Sequence, residues 1–456
     1  MGGGVLSSLK GKLGDLWWYT ILLFIAQRFG DVINMFVGLW LVPRYVPMEE
    51  LGVVLPITAV VGFLALPLTI VVTPFQKFIT KFNEAGEIGK VKSLVRDVFV
   101  GTFVLGSLVF LIAWLVLPFF FERMRVAAGS LGALMLVVSI AGAVSGVFGA
   151  AVAGVKRFGA CAWFALLGAP MRLVVMALAM PFRALSGYVL GQGAPHGVYI
   201  LGSIWVLRDY FRSDVKCVPY WREHGREILL YALPFALWTI TLAVSGFVET
   251  LVIRHRLPDF ESAGYYVVTR FSEIAGYLGL VFPSLIFPLV ASKKRDDANA
   301  RRILCHSVWG TAICGLVCVC VLGVCGKTLL GLTKVWQPYQ PLAAHMCVLA
   351  VNTVLGVVAN CLFTFEMAQG RFRFLWYAIP FQAVKCVVLY CLTGYTFFGQ
   401  WLPDEIMRTI EAFNPCRLSV VVGALLIAQI TILLALLVDV FLVGDVRRRQ
   451  NMVKVG

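Results

Sequence analysis

The sequence predicts an all-α integral membrane protein: twelve transmembrane helices in two six-helix lobes related by a pseudo-twofold axis along the membrane normal. Three observations lead there. Hydrophobic residues make up 60% of the chain and charged residues only 14%, a balance foreign to soluble globules. Apolar stretches of about the 20 residues that span a bilayer recur from end to end. Finally, Glu49-Glu50-Leu51-Gly52 and Glu261-Ser262-Ala263-Gly264 repeat one unit at an offset of 212 residues. Each segment closes a short polar turn, follows an arginine eight residues before its glycine (Arg44, Arg256), and precedes a proline-punctuated apolar stretch ending in lysines.

The apolar stretches fall at about 17–42, 53–76, 98–121, 131–155, 159–182, 185–207, 227–252, 262–291, 303–327, 341–366, 374–398 and 417–443. Helices are the expected element, because an open sheet leaves backbone groups unpaired in lipid. The basic segment 213–226 divides the chain into lobes 1–212 and 227–456, with six stretches each. An even number per half keeps both halves in one orientation, which sets the axis along the membrane normal.

Taken in order, Gly2 to Gly14 reads as a basic interfacial lead-in, and the first span as its own insertion signal with no cleavable leader. Pro56, Pro67 and Pro74 punctuate the second span, and Pro283 and Pro288 the eighth. Proline removes a helical hydrogen bond and favours a kink, so these are either matched hinges or static packing features. Gly142, Gly146, Gly149 and Gly154 give the fourth span a small-residue face for close packing within the chain.

The formal net charge is +15, yet its distribution speaks for topology and against nucleic acid. With the N-terminus inside, the cytoplasmic side carries 25 lysines and arginines and the outer loops 10. That asymmetry places both termini in the cytoplasm, with anionic membrane lipids as neighbours. The twelve cysteines lie mostly in apolar spans and behave as small hydrophobes; no paired CxxC motif appears, so no metal or cofactor is expected. Too little chain lies outside the spans for a soluble catalytic domain, and no enzyme is expected.

Several charges sit where lipid would penalise them. Arg28 and Asp31 lie midway along the first span beside Asn34, Arg172 midway along the fifth, Arg270 and Glu273 in the eighth, and Lys385 midway along the eleventh. A charge at such depth costs roughly 2.5–3.5 kcal/mol. Residues 28 and 31, like 270 and 273, are spaced to pair on one helix. Arg172 and Lys385 have no acid within a turn. Four cations against two anions leave a surplus of two, which an anionic ligand in a wet cavity would match; internal salt bridges are the competing reading. Glu249, Glu366 and Asp439 lie nearer span ends, and Glu249 is the candidate for a coupling ion.

Three stretches carry a family resemblance. Leu41 to Gly52 (LVPRYVPMEELG), Glu249 to Arg270 (ETLVIRHRLPDFESAGYYVVTR) and Phe282 to Ala291 (FPSLIFPLVA) resemble the first turn, the seventh-helix exit and the eighth-helix exit of the multidrug/oligosaccharidyl-lipid/polysaccharide exporter superfamily. They are most similar to its bacterial polysaccharide flippase branch, although Glu249 stands where that branch usually has aspartate. The resemblance implies a monomeric alternating-access flippase of the bacterial cytoplasmic membrane, carrying an isoprenoid-diphosphate-linked glycan and working beside a glycan polymerase or glycosyltransferases. It implies that Arg28 and Arg270 bind the diphosphate; the mid-span charges add Arg172 and Lys385 as expected binding groups, and the repeated turns Arg44–Glu50 and Arg256–Glu261 are the expected outer gates. A proton- or sodium-coupled multidrug cation antiporter of the same superfamily and a non-transporting scaffold of a glycan-assembly complex are the alternatives.

Overall fold

The structure, a computed structural model, describes residues 22, 24–124, 131–212, 215–280, 286, 297–369, 371–393 and 417–443. Its helices are α1 (Phe24–Tyr45), α2 (Met48–Leu51), α3 (Val54–Thr69), α4 (Val72–Glu84), α5 (Ile88–Met124), α6 (Leu131–Gly154), α7 (Phe158–Ala179), α8 (Ala184–Arg212), α9 (Trp221–Arg256), α10 (Asp259–Gly279), α11 (Asp297–Gly331), α12 (Ala343–Ala368), α13 (Leu375–Thr393) and α14 (Arg417–Leu437). Among the described residues each of the twelve expected spans overlaps helix, with 53–76 divided between two; 17–21, 23, 281–285, 287–291 and 394–398 lie outside the described residues. Among the described residues, nine helices are long and apolar enough to cross a membrane. The interfacial lead-in, the Pro283 and Pro288 positions and the C-terminal basic tail lie outside the described residues.

The chain forms two compact units. The first comprises Met1–Val46 and Ile57–Ala243, the second Pro47–Pro56 and Val244–Gly456. The division therefore falls inside α9, and the first repeat turn is built into the second unit.

In the first unit, the stretch expected as one span at 53–76 is two helices, parted at Ile70 and Val71. Pro74 explains the break, since it has no N–H for the Ile70 carbonyl and its ring crowds that carbonyl. The amphipathic α4 then buries Phe75, Phe78, Ile79 and Phe82 against α5 and α6 while Lys77 and Lys81 stay outside the core. Gly154 makes this fit possible: a Cβ there would stand 2.7 Å from the Ile79 Cβ. Gly142 and Gly146 serve different neighbours, His196 on α8 and Val72 on α4.

Past Gly154 the chain reverses through Lys156, whose φ of 62° is the one positive value outside glycine among the described residues. Arg157 N–H donates to the Val152 carbonyl at 3.1 Å and Lys156 N–H to Ala153 at 2.9 Å, closing the turn. Such sites favour glycine or asparagine, and a branched Cβ carbon costs on the order of 1–2 kcal/mol there.

The basic stretch 213–226 is a loop only in part. Residues 215–220 have no regular secondary structure, and Arg222, Glu223 and Arg226 already lie on α9. The loop is fastened down: Val218 N–H donates to the Gly89 carbonyl at 3.1 Å, and Tyr220, 5% exposed, packs on Phe82. That burial pushes the Tyr220 phenol up to about 12. Lys90–Glu223 and Lys81–Glu227, both at 2.7 Å, clasp α9 to α5 and α4.

In the second unit α12 is central, packing on α10, α11 and α14. Ser272 on α10 donates to the Met346 carbonyl of α12 at 2.8 Å, and Gly264 sits against Leu342. The sequence repeat is visible in the backbone. Pro47 (φ −63°, ψ 157°) precedes α2 much as Pro258 (φ −57°, ψ 154°) precedes α10. A proline there pre-sets φ and gives up a donor that a helix start leaves unsatisfied anyway.

Candidate functional site

Each unit holds one polar cluster inside its apolar helices. In the first unit, α1 presents Gln27, Asp31 and Asn34 at helical spacing, so they share a face. Gly30 faces α7, where a Cβ would meet the Ala169 Cβ at an ordinary contact distance of 3.6 Å. Arg172 projects from α7 and donates from Nη1 to Asn34 Oδ1 at 2.7 Å. From α8 come Gln192, His196 and Tyr199. Together these side chains line a cavity of about 310 Å³. Arg28 Nη1 contacts Asp31 Oδ2 at 3.0 Å, with both side chains about three-quarters buried (25% and 23% exposed). The named groups carry two positive charges and one negative charge.

Gln192 and His196 carry no charge mark in the sequence, and spacing alone did not single them out. His196 Nδ1 and Ser145 Oγ share a hydrogen bond of 2.9 Å. The Gln192 amide nitrogen is buried with no hydrogen-bond partner, a donor left for something in the cavity. The signal for both was weak: they are uncharged polar residues inside the expected 185–207 span, where no charge penalty marks them.

In the second unit, Glu249 of α9 is fully engaged. Tyr265 of α10 donates to Oε1 at 2.8 Å, and Lys385 of α13 donates to Oε2 at 3.1 Å. Two expectations change here. Lys385, with no acid nearby in sequence, has a carboxylate partner, and Glu249, expected near a span end, lies seven residues inside the end of α9. The mid-span tally is thus four cations to three carboxylates. The fold contributes this pair by packing α13 near α9, which linear spacing does not reveal. One turn deeper on α10, Arg270 pairs with Glu273 at 2.7 Å, lies over the Tyr266 ring at 5.3 Å, and Tyr277 also reaches Glu273 at 3.4 Å. Ser245 donates to Gln382 at 2.8 Å beside them in sequence. Glu366, expected within reach of water, is 6% exposed.

The turn residues have separate roles. Arg44 stacks over Trp40 at 5.0 Å. Glu50 lies on α2 inside the second unit. Glu261 accepts the Leu418 N–H at 2.8 Å and so caps the start of α14. The ion pair of the second turn is Arg254–Asp259 at 2.6 Å, with Arg254 only 5% exposed; sequence reading chose Arg256, whose side chain lies outside the described residues.

The helices and their buried polar clusters define a multi-pass, all-α membrane protein. No family model matches the sequence, and no curated protein matches it. Solved structures do. An outward-facing multidrug resistance MATE family transporter of the MOP superfamily superposes with a TM-score of 0.68 at 14% identity, covering 94% of this chain and 95% of that one. An inward-facing member scores 0.66 at 17% identity, covering 92% and 94%. A MATE structure in the straight conformation scores 0.66 at 14% identity, covering 94% of each. The chain therefore has the MATE transporter fold, twelve helices in two lobes.

Proposed function

We propose that the protein is an alternating-access membrane transporter whose cargo meets the polar clusters of the two units. The observation that carries the reading is the 310 Å³ cavity of the first unit, where Arg172, Asn34, Gln192 and His196 converge at span depth beside the Arg28–Asp31 pair. Charged and amide groups inside a span are costly unless something uses them. That structures of both inward- and outward-facing transporters share the fold supports the alternation.

Two cargo classes compete. The residual positive charge of the first-unit cavity favours an anionic amphiphile, an isoprenoid-diphosphate-linked glycan moved from the cytoplasmic leaflet. Arg172 is its best binding group, because it lines the cavity and a guanidinium forks onto phosphate oxygens. Arg28, Arg270 and Lys385 would join by exchanging their carboxylates for the diphosphate. The freed Glu249 is then the group to take up a coupling proton or cation. Arg44 and Glu50, with Arg256 and Glu261, belong to the turns that close the outer side. The second reading is a proton- or sodium-coupled multidrug antiporter, favoured by the solved relatives, with Asp31, Glu273 and Glu249 receiving a cationic drug. The bacterial cytoplasmic membrane and a glycan polymerase or glycosyltransferase partner belong to the first reading.

One experiment separates them. Full-length protein in proteoliposomes is offered a fluorescent isoprenyl-diphosphate disaccharide or ethidium. The first reading requires translocation of the disaccharide, lost in Arg172→Ala and Arg28→Ala. Ethidium extrusion that survives Arg172→Ala but not Glu249→Gln establishes the second reading and removes the first.

A further inference from the structure

The first unit has a second recess, unrelated to the polar cavity. It is a groove of about 600 Å³ between α7 and α8, and its lining runs from Lys156 and Arg157 at one end past Trp163 and Trp205 to Leu167. From Arg157 to Leu167 the helix rises about 15 Å, so the groove has a cationic mouth and an apolar length.

Four features bear on its occupant. Lys156 and Arg157 are both exposed, and Lys156 occupies the left-handed turn position that glycine would fill without strain. A side chain kept at a strained position points to use. Arg157 precedes the first turn of α7, whose free N–H groups add positive potential. Trp163 and Trp205 are 60% and 66% exposed, and the Arg208 guanidinium lies 5.4 Å over the Trp205 ring. Indoles flanking an apolar slot beneath cations belong at the boundary of headgroups and acyl chains. Glu84 pairs with Lys156, and with Arg157 the three named charges at the mouth leave it positive.

We propose that this groove is a binding site for an anionic glycerophospholipid of the adjacent leaflet. Lys156 and Arg157 hold its phosphate, and an acyl chain lies along Trp163, Leu167 and Trp205. A zwitterionic lipid brings its own cation to the mouth and gains less there. The site does not depend on which cargo the transporter carries.

The test uses full-length protein in phosphatidylcholine vesicles doped with brominated phosphatidylglycerol or, at equal mole fraction, brominated phosphatidylcholine. The part of tryptophan quenching lost in Trp163→Phe/Trp205→Phe reports the groove. The anionic lipid is expected to be enriched there by about fivefold per engaged cation. Lys156→Asn/Arg157→Gln should abolish the preference; asparagine tolerates the left-handed turn, so the fold is kept. Equal quenching by the two lipids, or a preference that survives the double substitution, overturns the proposal. Displacement of the brominated phosphatidylglycerol by millimolar inorganic phosphate at constant ionic strength would make this a free-phosphate site and also overturn it.

Discussion

Lys385 Nζ stands 3.1 Å from Glu249 Oε2, an ion pair between side chains 136 residues apart in sequence. Both side chains are mostly buried, at 14% and 20% exposure, and Tyr265 occupies the other carboxylate oxygen. Removing one partner strands a charge, which typically costs 3–5 kcal/mol, whereas removing both is close to neutral. Lys385→Met is therefore expected to lower the thermal midpoint of the detergent-purified protein sharply, and Lys385→Met/Glu249→Gln to recover most of it. A double variant no better than the single one refutes the pairing.

Gly52 sits on Ser262 of α10 with no room for a side chain. A Cβ there would lie 2.9 Å from the Ser262 Cβ and 3.1 Å from its carbonyl carbon. Its φ of −64° is ordinary, so the requirement is steric and not conformational. Gly52→Val should destabilise by about 1–3 kcal/mol. Gly62, whose Cβ position is open, provides the control: Gly62→Val leaves stability nearly unchanged in the same thermal assay.

Tyr220 anchors the 215–220 loop by burial against Phe82. Tyr220→Ala should cost about 3 kcal/mol locally and free the loop. The measurable outcome is faster tryptic cleavage at Lys216. The Lys90–Glu223 pair is screened by solvent on its Glu223 side, so Glu223→Gln should cleave at the parental rate.

Cys217 lies exposed in the same loop, on the side the charge asymmetry assigns to the cytoplasm. A membrane-impermeant maleimide should label it in inside-out vesicles and not in sealed right-side-out vesicles. Cys217→Ser supplies the background from the other thiols. Labelling in the opposite sense reverses the expected topology.

Arg172→Lys keeps the charge and loses the planar guanidinium whose Nη1 donates to Asn34. If the first-unit cavity recognises a diphosphate, this variant should bind a fluorescent isoprenyl diphosphate about tenfold more weakly or worse, a difference of ~1.4 kcal/mol. Its thermal midpoint should stay near that of the parent.

Composition and periodicity were enough to determine the helices. Apolar runs of bilayer length have one stable form in lipid, and so the described part of each expected span is helical, 53–76 as two helices. Pro74 even marks the break between α3 and α4, because proline acts on the carbonyl four residues before it, here that of Ile70. Local charge pairs were legible for the same reason: Arg28–Asp31 and Arg270–Glu273 lie within one turn. Partnerships between helices were not. Lys385 with Glu249, Arg172 with Asn34, Glu261 with the Leu418 amide, and Gln192 and His196 beside Arg172 all depend on which helix packs beside which. Packing is decided by small residues and side-chain shape summed over whole helix faces, information spread across hundreds of residues and absent from any local window.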